Sequence, residues 1–275
     1  MNKPVEKTET DLLLEAVFRR YGYDFRSYAR ASIERRVRLF MATEGFATMP
    51  ELTLRVPDDR ELFSRLARSF SVPVTELFRD PQFYRAVRER VLPLLRTWPH
   101  FKIWHAGCAT GEEVYSLAIL LKEEGLYDRA TIYATDFNDE ALDLARAGVY
   151  EADNMKAATR NYQAAGGKAS FSEYYHCRYG SAAMNPELKG RLVFTNHNLA
   201  SDGVFGETHL VFCRNVLIYF NRALQNRALR LFSASLVNGG FLCLGAKEDL
   251  RFSEVNGLYE VADKKARIYK RNAAP

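Results

Sequence analysis

The chain has 275 residues, 47% hydrophobic and 27% charged, with a formal net charge of +5. This composition excludes a disordered, fibrous or repeat-array chain. The opening residues are polar and no window approaches the roughly 18 apolar residues of a membrane span, so a cytoplasmic protein without membrane insertion is expected.

Up to about residue 95, apolar residues recur at helical spacing: Leu12, Leu13, Ala16 and Val17, then Ile33, Val37 and Phe40, then Leu62, Leu66 and Phe70. Residues 1–95 are therefore predicted to be a small all-α domain ending in a linker helix. Asp80-Pro81 is placed as N-cap and first-turn proline of that last helix, which carries Phe83, Val87 and Val91. The charge is uneven. Residues 1–99 hold 18 Lys or Arg against 14 Asp or Glu. Arg26, Arg30, Arg35, Arg36 and Arg38 face only Asp24 and Glu34 within their own stretch, which argues for an acidic partner at that surface. The interleaved aromatics of a single-strand platform are missing from this stretch, so nucleic acid is not expected.

From residue 96 to 275 short apolar runs alternate with helical ones, the signature of an α/β fold with a largely parallel sheet. Strands are predicted over 101–105, 131–135, 209–213 and 241–245, and helices over 112–124, 139–147 and 222–236. A closing hairpin over 258–270 turns at 263–265. Residues of about 150–194 break the rhythm. Residues 171–180 and 191–194 look like strands around a turn-prone 184–190, and the segment is read as a small inserted β subdomain, an added surface at a connection.

The first strand runs into a turn containing Gly107 and Gly111, and the second ends in Asp136 about 25 residues on, as in nucleoside-binding α/β folds. Glu112 and Glu113 open the intervening helix, where they suit the helix dipole but repel a pyrophosphate. A cationic ligand without phosphate fits better. Neither the four cysteines nor the five histidines show metal-ligand spacing, so no metal and no disulfide framework is expected.

These features sit among longer motifs: 74–79, 106–115, 134–137, Asn198-Leu199, and Phe212 through Phe220. Through them the chain resembles the CheR-type chemoreceptor glutamate methyltransferases over nearly its whole length. The resemblance implies a class I S-adenosylmethionine (SAM) methyltransferase sheet of Rossmann-like type, an N-terminal all-α domain and a small inserted β subdomain. It further implies methyl transfer from SAM to receptor glutamates, with S-adenosylhomocysteine as product, and chemotaxis signal transduction with the cytoplasmic helical domain of chemoreceptors as partner, the enzyme itself being a monomer. Residue by residue, it makes Thr75, Arg79, Gly107, Glu113, Asp136, Asn198, Leu199, Arg214 and Asn215 cofactor contacts. Tyr219 stands beside the reacting methyl and orients the reactants with Arg79, and Arg36 faces the substrate; the surplus charge of Arg30, Arg35 and Arg38 on the same helix is assigned to docking on an acidic substrate surface. Two positions depart from the family pattern: Pro73 where an Asn is common, and Gly245-Ala246-Lys247-Glu248 where many relatives have a His-Ser pair. The alternatives left open are methylation of RNA or a small molecule, and a SAM-binding signalling module without turnover.

Overall fold

A computed structural model describes residues 8–70 and 75–273; Pro73 lies outside them. The chain begins with helix α1 (Glu9–Tyr21), closed at its start by a capping box in which Thr8 and Asp11 bond reciprocally. It ends at Gly22, whose φ of 78° is the left-handed cap a glycine takes without strain. Helices α2 (Arg30–Glu44), α3 (Met49–Arg55) and α4 (Arg60–Phe70) follow. Of the predicted periodic residues, Leu13, Val17, Ile33, Val37, Leu62 and Leu66 are buried in one core, whereas Leu12 is exposed on the outer face of α1.

Residues 81–95 form α5 (Pro81–Ala86), a π-helical turn over Val87–Val91, and α6 (Leu92–Leu95). The sequence groups this stretch with the helical half. Its side chains Phe83, Tyr84, Val87, Val91 and Leu95 are instead buried in the core of the α/β half.

That half is a seven-stranded sheet in the order β6-β2-β1-β7-β8-β10-β9. The strands are β1 (Phe101–Ala106), β2 (Ala130–Asp136), β6 (Leu192–Asn196), β7 (Thr208–Cys213), β8 (Leu236–Leu244), β9 (Tyr259–Asp263) and β10 (Ile268–Arg271). The first five run parallel, and β10 pairs antiparallel with both β8 and β9. Helices α7 (Glu112–Glu123), α8 (Asp139–Ala147) and α10 (Arg222–Ser235) connect the parallel strands. The chain works outward from β1 through β2 to β6, then crosses back to lay β7 on the other side of β1. Such a reversal opens a crevice at the carboxyl ends of the two strands, where open α/β sheets bind ligands.

The segment between β2 and β7 differs from its prediction. Residues 192–194 belong to the main sheet, since Leu192 to Asn196 pair with Ile132 to Asp136. As an edge strand β6 is only half covered, so its composition looks like that of a small exposed unit. The small sheet is β3-β5-β4, built from Val149–Glu151, Ser181–Met184 and Tyr175–Arg178. It also carries a helix the prediction lacked, α9 (Asn154–Ala164), which buries Met155, Ala158 and Tyr162. Glu123, at the end of α7, anchors this unit. It accepts from the Tyr162 and Tyr174 hydroxyls and the Lys168 amide, and pairs with Arg88.

Candidate active site

The crevice is built first by the turn after β1. The amides of Gly107 and Cys108 both donate to the carbonyl of Thr135 on β2, at 2.8 and 2.9 Å, pulling the chain sharply across the strand end. The turn needs left-handed backbone at Gly107 (φ 79°). It also needs a missing side chain, because a Cβ there would stand 2.6 Å from Val216 Cγ2. Among the described residues, four of the six non-glycine positions with positive φ, Phe78, Asp80, Ala109 and Asn215, lie on the loops around this crevice. Backbone strain gathers where the surrounding structure over-determines it, commonly at functional sites.

Asp136 ends β2 inside the crevice. Its Oδ2 accepts from the Ala109 amide at 3.0 Å and its Oδ1 from the Asn138 amide at 3.0 Å. Burial nonetheless pushes this carboxyl above the ordinary aspartate range, against those backbone bonds.

Arg214, just past β7, is the electrostatic centre. Its side chain is 2% exposed. Nη1 donates to Glu113 Oε2 at 2.6 Å, Nη2 donates to Asp80 Oδ2 at 2.7 Å, and the guanidinium lies 3.9 Å over the Phe83 ring. His105 Nδ1 stands 3.5 Å from the other oxygen of Glu113. Burial opposes ionisation of Glu113, but Arg214 and His105 outweigh it and hold the carboxyl below its usual range. Glu112, by contrast, turns away, accepts from Thr110 Oγ1 at 2.7 Å, and is pushed up by burial.

The next residues, Asn215 and Val216, are held by a carboxylate the sequence reading left without a role. Glu248 is 4% exposed and accepts three amides: Gly245 at 2.6 Å, Asn215 at 3.0 Å and Val216 at 2.9 Å. The Gly245–Glu248 stretch therefore supports the site from behind. On the far side, Asn198 Oδ1 accepts from the Ala200 amide at 2.9 Å, fixing the turn that presents Asn198 and Leu199.

Together these loops surround one open cavity. Thr75, Arg79, Gly107, Glu113 and Asp136 line it, and so do Asn198, Leu199, Arg214, Asn215 and Tyr219. The structure thus brings all ten residues expected of the cofactor and methyl region to one place. The helical domain completes the wall with Tyr28 and Phe70, which the sequence reading missed. Tyr28 packs on Phe220 with ring centroids 5.0 Å apart, and the Ala29 amide donates to the Tyr219 carbonyl at 2.7 Å.

The arginines of α2 divide. Arg36 is half-buried, donating to the Ser69 carbonyl at 2.7 Å with its guanidinium 5.5 Å from the ring centroid of Tyr219, itself a cavity residue. None of Arg30, Arg35, Arg36 and Arg38 lines the cavity itself, and only Arg36 touches a residue that does. The charge surplus is also smaller than it looks in sequence. Arg26 pairs with Glu15 and Asp24, and Arg30 with Asp11 and Glu34, acids contributed in part by α1. Among the described residues no cluster of three metal-ligating side chains occurs, and no helix is long and apolar enough to cross a membrane.

Comparison with known proteins agrees with this layout. Residues 73–267 match the family described as CheR methyltransferase, SAM binding domain, and residues 8–71 match CheR methyltransferase, all-alpha domain. A Pseudomonas putida KT2440 protein named Cher3 is 49% identical over 264 residues, covering 96% of this chain and 97% of that one. The chemotaxis protein methyltransferase 1 of Pseudomonas aeruginosa is 30% identical, with 79% of this chain and 81% of that protein covered. The chemotaxis protein methyltransferase of Listeria innocua is 27% identical, over 85% and 87%.

Proposed function

The chain belongs to the CheR methyltransferase family, and from that premise we propose that it is a cytoplasmic protein-glutamate O-methyltransferase acting on chemoreceptor-like signalling proteins. The observation that carries the reading is the single cavity in which the buried carboxylate of Asp136, the partly buried one of Glu113, two arginines and Tyr219 converge.

The donor set suits SAM. Asp136 offers its remaining acceptor capacity to ribose hydroxyls, Glu113 offers a carboxylate to the ammonium, and Arg79 offers a guanidinium to the α-carboxylate. Asn198 and Leu199 close the opposite side of the cofactor site. Nothing in the set resembles a phosphate cradle, since carboxylates stand where one would need amides and cations. When bound, SAM supplies an electrophilic methyl on a positively charged sulfur.

The protein's part is alignment and exclusion of water. A glutamate acceptor, with a reference pKa near 4.3, is already ionised at neutral pH, so no general base is needed. Anion and cation give neutral products, and a site that excludes water favours that loss of charge. Arg79 and Tyr219 orient the reactants at the mouth, where proximity supplies most of the acceleration. The support for a receptor acceptor is the name shared by relatives such as those of Pseudomonas aeruginosa and Listeria innocua, chemotaxis protein methyltransferase.

The test is incubation with methyl-labelled SAM and receptor cytoplasmic fragments. Label that moves to the receptor and is released as methanol by mild alkali marks a carboxyl methyl ester. Alkali-stable label, or label on RNA instead, would overturn the glutamate reading.

A further inference from the structure

An Asp followed by Pro at a helix start ordinarily uses its carboxylate to cap the helix. Asp80 departs from this. It makes no side-chain cap bond to α5, and it is held at φ 57° and ψ 68°, a left-handed backbone for a residue that precedes proline. Its Oδ2 instead accepts from Arg214 Nη2 at 2.7 Å, across 134 residues of chain. A local rule broken at a strained position marks a residue whose side chain serves something other than its own helix.

What it serves is traced by the contacts. Arg214 holds Asp80 with one nitrogen and Glu113 with another, and lies on Phe83, the third residue of α5. The loop carrying Thr75 and Arg79 into the cavity has a second anchor at Phe78, which is fully buried and whose amide donates to Ser116 Oγ at 2.8 Å on α7. Arg79 lies between these two fixed points. We propose that Asp80 is a positioning residue: through Arg214 it pins the 75–80 loop so that Arg79 faces the cavity, and it keeps Arg214 from turning wholly onto Glu113.

The second half follows from competition for one cation. With Asp80 neutral, Glu113 becomes the only carboxylate partner of a buried guanidinium, and a fork-shaped donor then favours two-pronged pairing. Glu113 so engaged offers less charge to the ammonium of a donor. The inference rests on the SAM reading above.

Two substitutions separate this role from a purely structural one. Asp80→Asn keeps the shape and tolerates left-handed backbone, removing only the charge. Asp80→Gly removes the backbone strain as well. If Asp80 merely shaped the backbone, Asn would be silent and Gly would raise the melting temperature with unchanged binding. The expected result is that both weaken S-adenosylhomocysteine binding by about tenfold in calorimetry, the equivalent of one charge-assisted hydrogen bond. Amide exchange across 75–80 should quicken in the protein without donor. Wild-type binding with unaltered affinity and exchange in both variants would overturn the role of Asp80 alone. A wild-type chain that binds neither SAM nor its product would overturn the cofactor reading, and this inference with it.

Discussion

Two regions of the molecule use arginine in opposite ways. In the crevice, Arg214 is buried and its partners come from 101 and 134 residues away in the chain. On α2, Arg30 and Arg38 are solvent-facing and share Glu34 at helical i,i+4 spacing, with Arg30 also reaching Asp11. The first arrangement joins three separate elements into one site. The second joins neighbours on one surface, and water screens it. Identical side chains thus carry very different energies according to burial and to what each pairing ties together.

The sharpest way to break the comparison is Arg214→Met, which keeps the length and removes the charge. It strands Glu113 beside a buried His105 with no cation to compensate it, and removing one partner of a buried pair typically costs about 3–5 kcal/mol. Urea unfolding should show a loss of that order with an unchanged slope. A loss under about 1 kcal/mol would mean that Arg214 behaves like a surface residue despite its burial.

Asp136→Ala comes next. It should weaken S-adenosylhomocysteine binding by about 1–3 kcal/mol, the range for leaving a buried polar partner unpaired. The same residue sets a pH limit. Burial raises the Asp136 carboxyl, so on acidification it takes up its proton earlier than an ordinary aspartate and loses its charge there. Wild-type affinity should therefore begin to fall above the usual aspartate range, and Asp136→Asn should flatten that part of the profile.

The glycine turn, Glu113 and Asp136 were legible from strand and turn geometry, whereas Thr75, Arg79, Asn198, Leu199, Arg214, Asn215 and Tyr219 were legible only through the family resemblance. Gly107 and Asp136 end adjacent parallel strands, so a reading of strand ends finds them. Asp80, His105 and Glu248 were not legible as a set. Each acts through a contact to a distant element, and nothing near Glu248 in sequence announces that it will hold the amides of Asn215 and Val216. The inserted unit was legible only as an interruption. Helix α9 shows just Met155, Ala158 and Tyr162 as an apolar stripe, a weak signal beside the strand-like residues that follow. Edge strand β6 looked like part of the insertion because half its surface is open. The basic surface was overstated for a related reason: the acids that neutralise Arg26 and Arg30 lie partly on α1, outside the 24–38 stretch that carries the arginines.

The smallest expected effect tests what remains of that surface. Among the described residues Arg35 makes no ion pair, and it is exposed on α2 beside Arg36, whose guanidinium lies over the ring of the cavity residue Tyr219. A glutamate about to be methylated lies on an exposed face of an acceptor that carries negative charge, and an unpaired cation near the mouth raises the rate of encounter more than the strength of the complex. Arg35→Gln should leave stability within about 0.5 kcal/mol of the wild type, as surface substitutions do, and leave S-adenosylhomocysteine affinity unchanged. The KM for a receptor fragment should rise roughly twofold to fivefold in dilute buffer, a modest change because one rim charge is removed. That difference should vanish near 1 M salt, where the screening length drops to about 3 Å. Arg30→Gln is the control, since the charge it removes is already shared between Asp11 and Glu34. Equal KM values for wild type and Arg35→Gln at low salt would remove this face of α2 as the docking surface and direct the search to the β3-β5-β4 insertion.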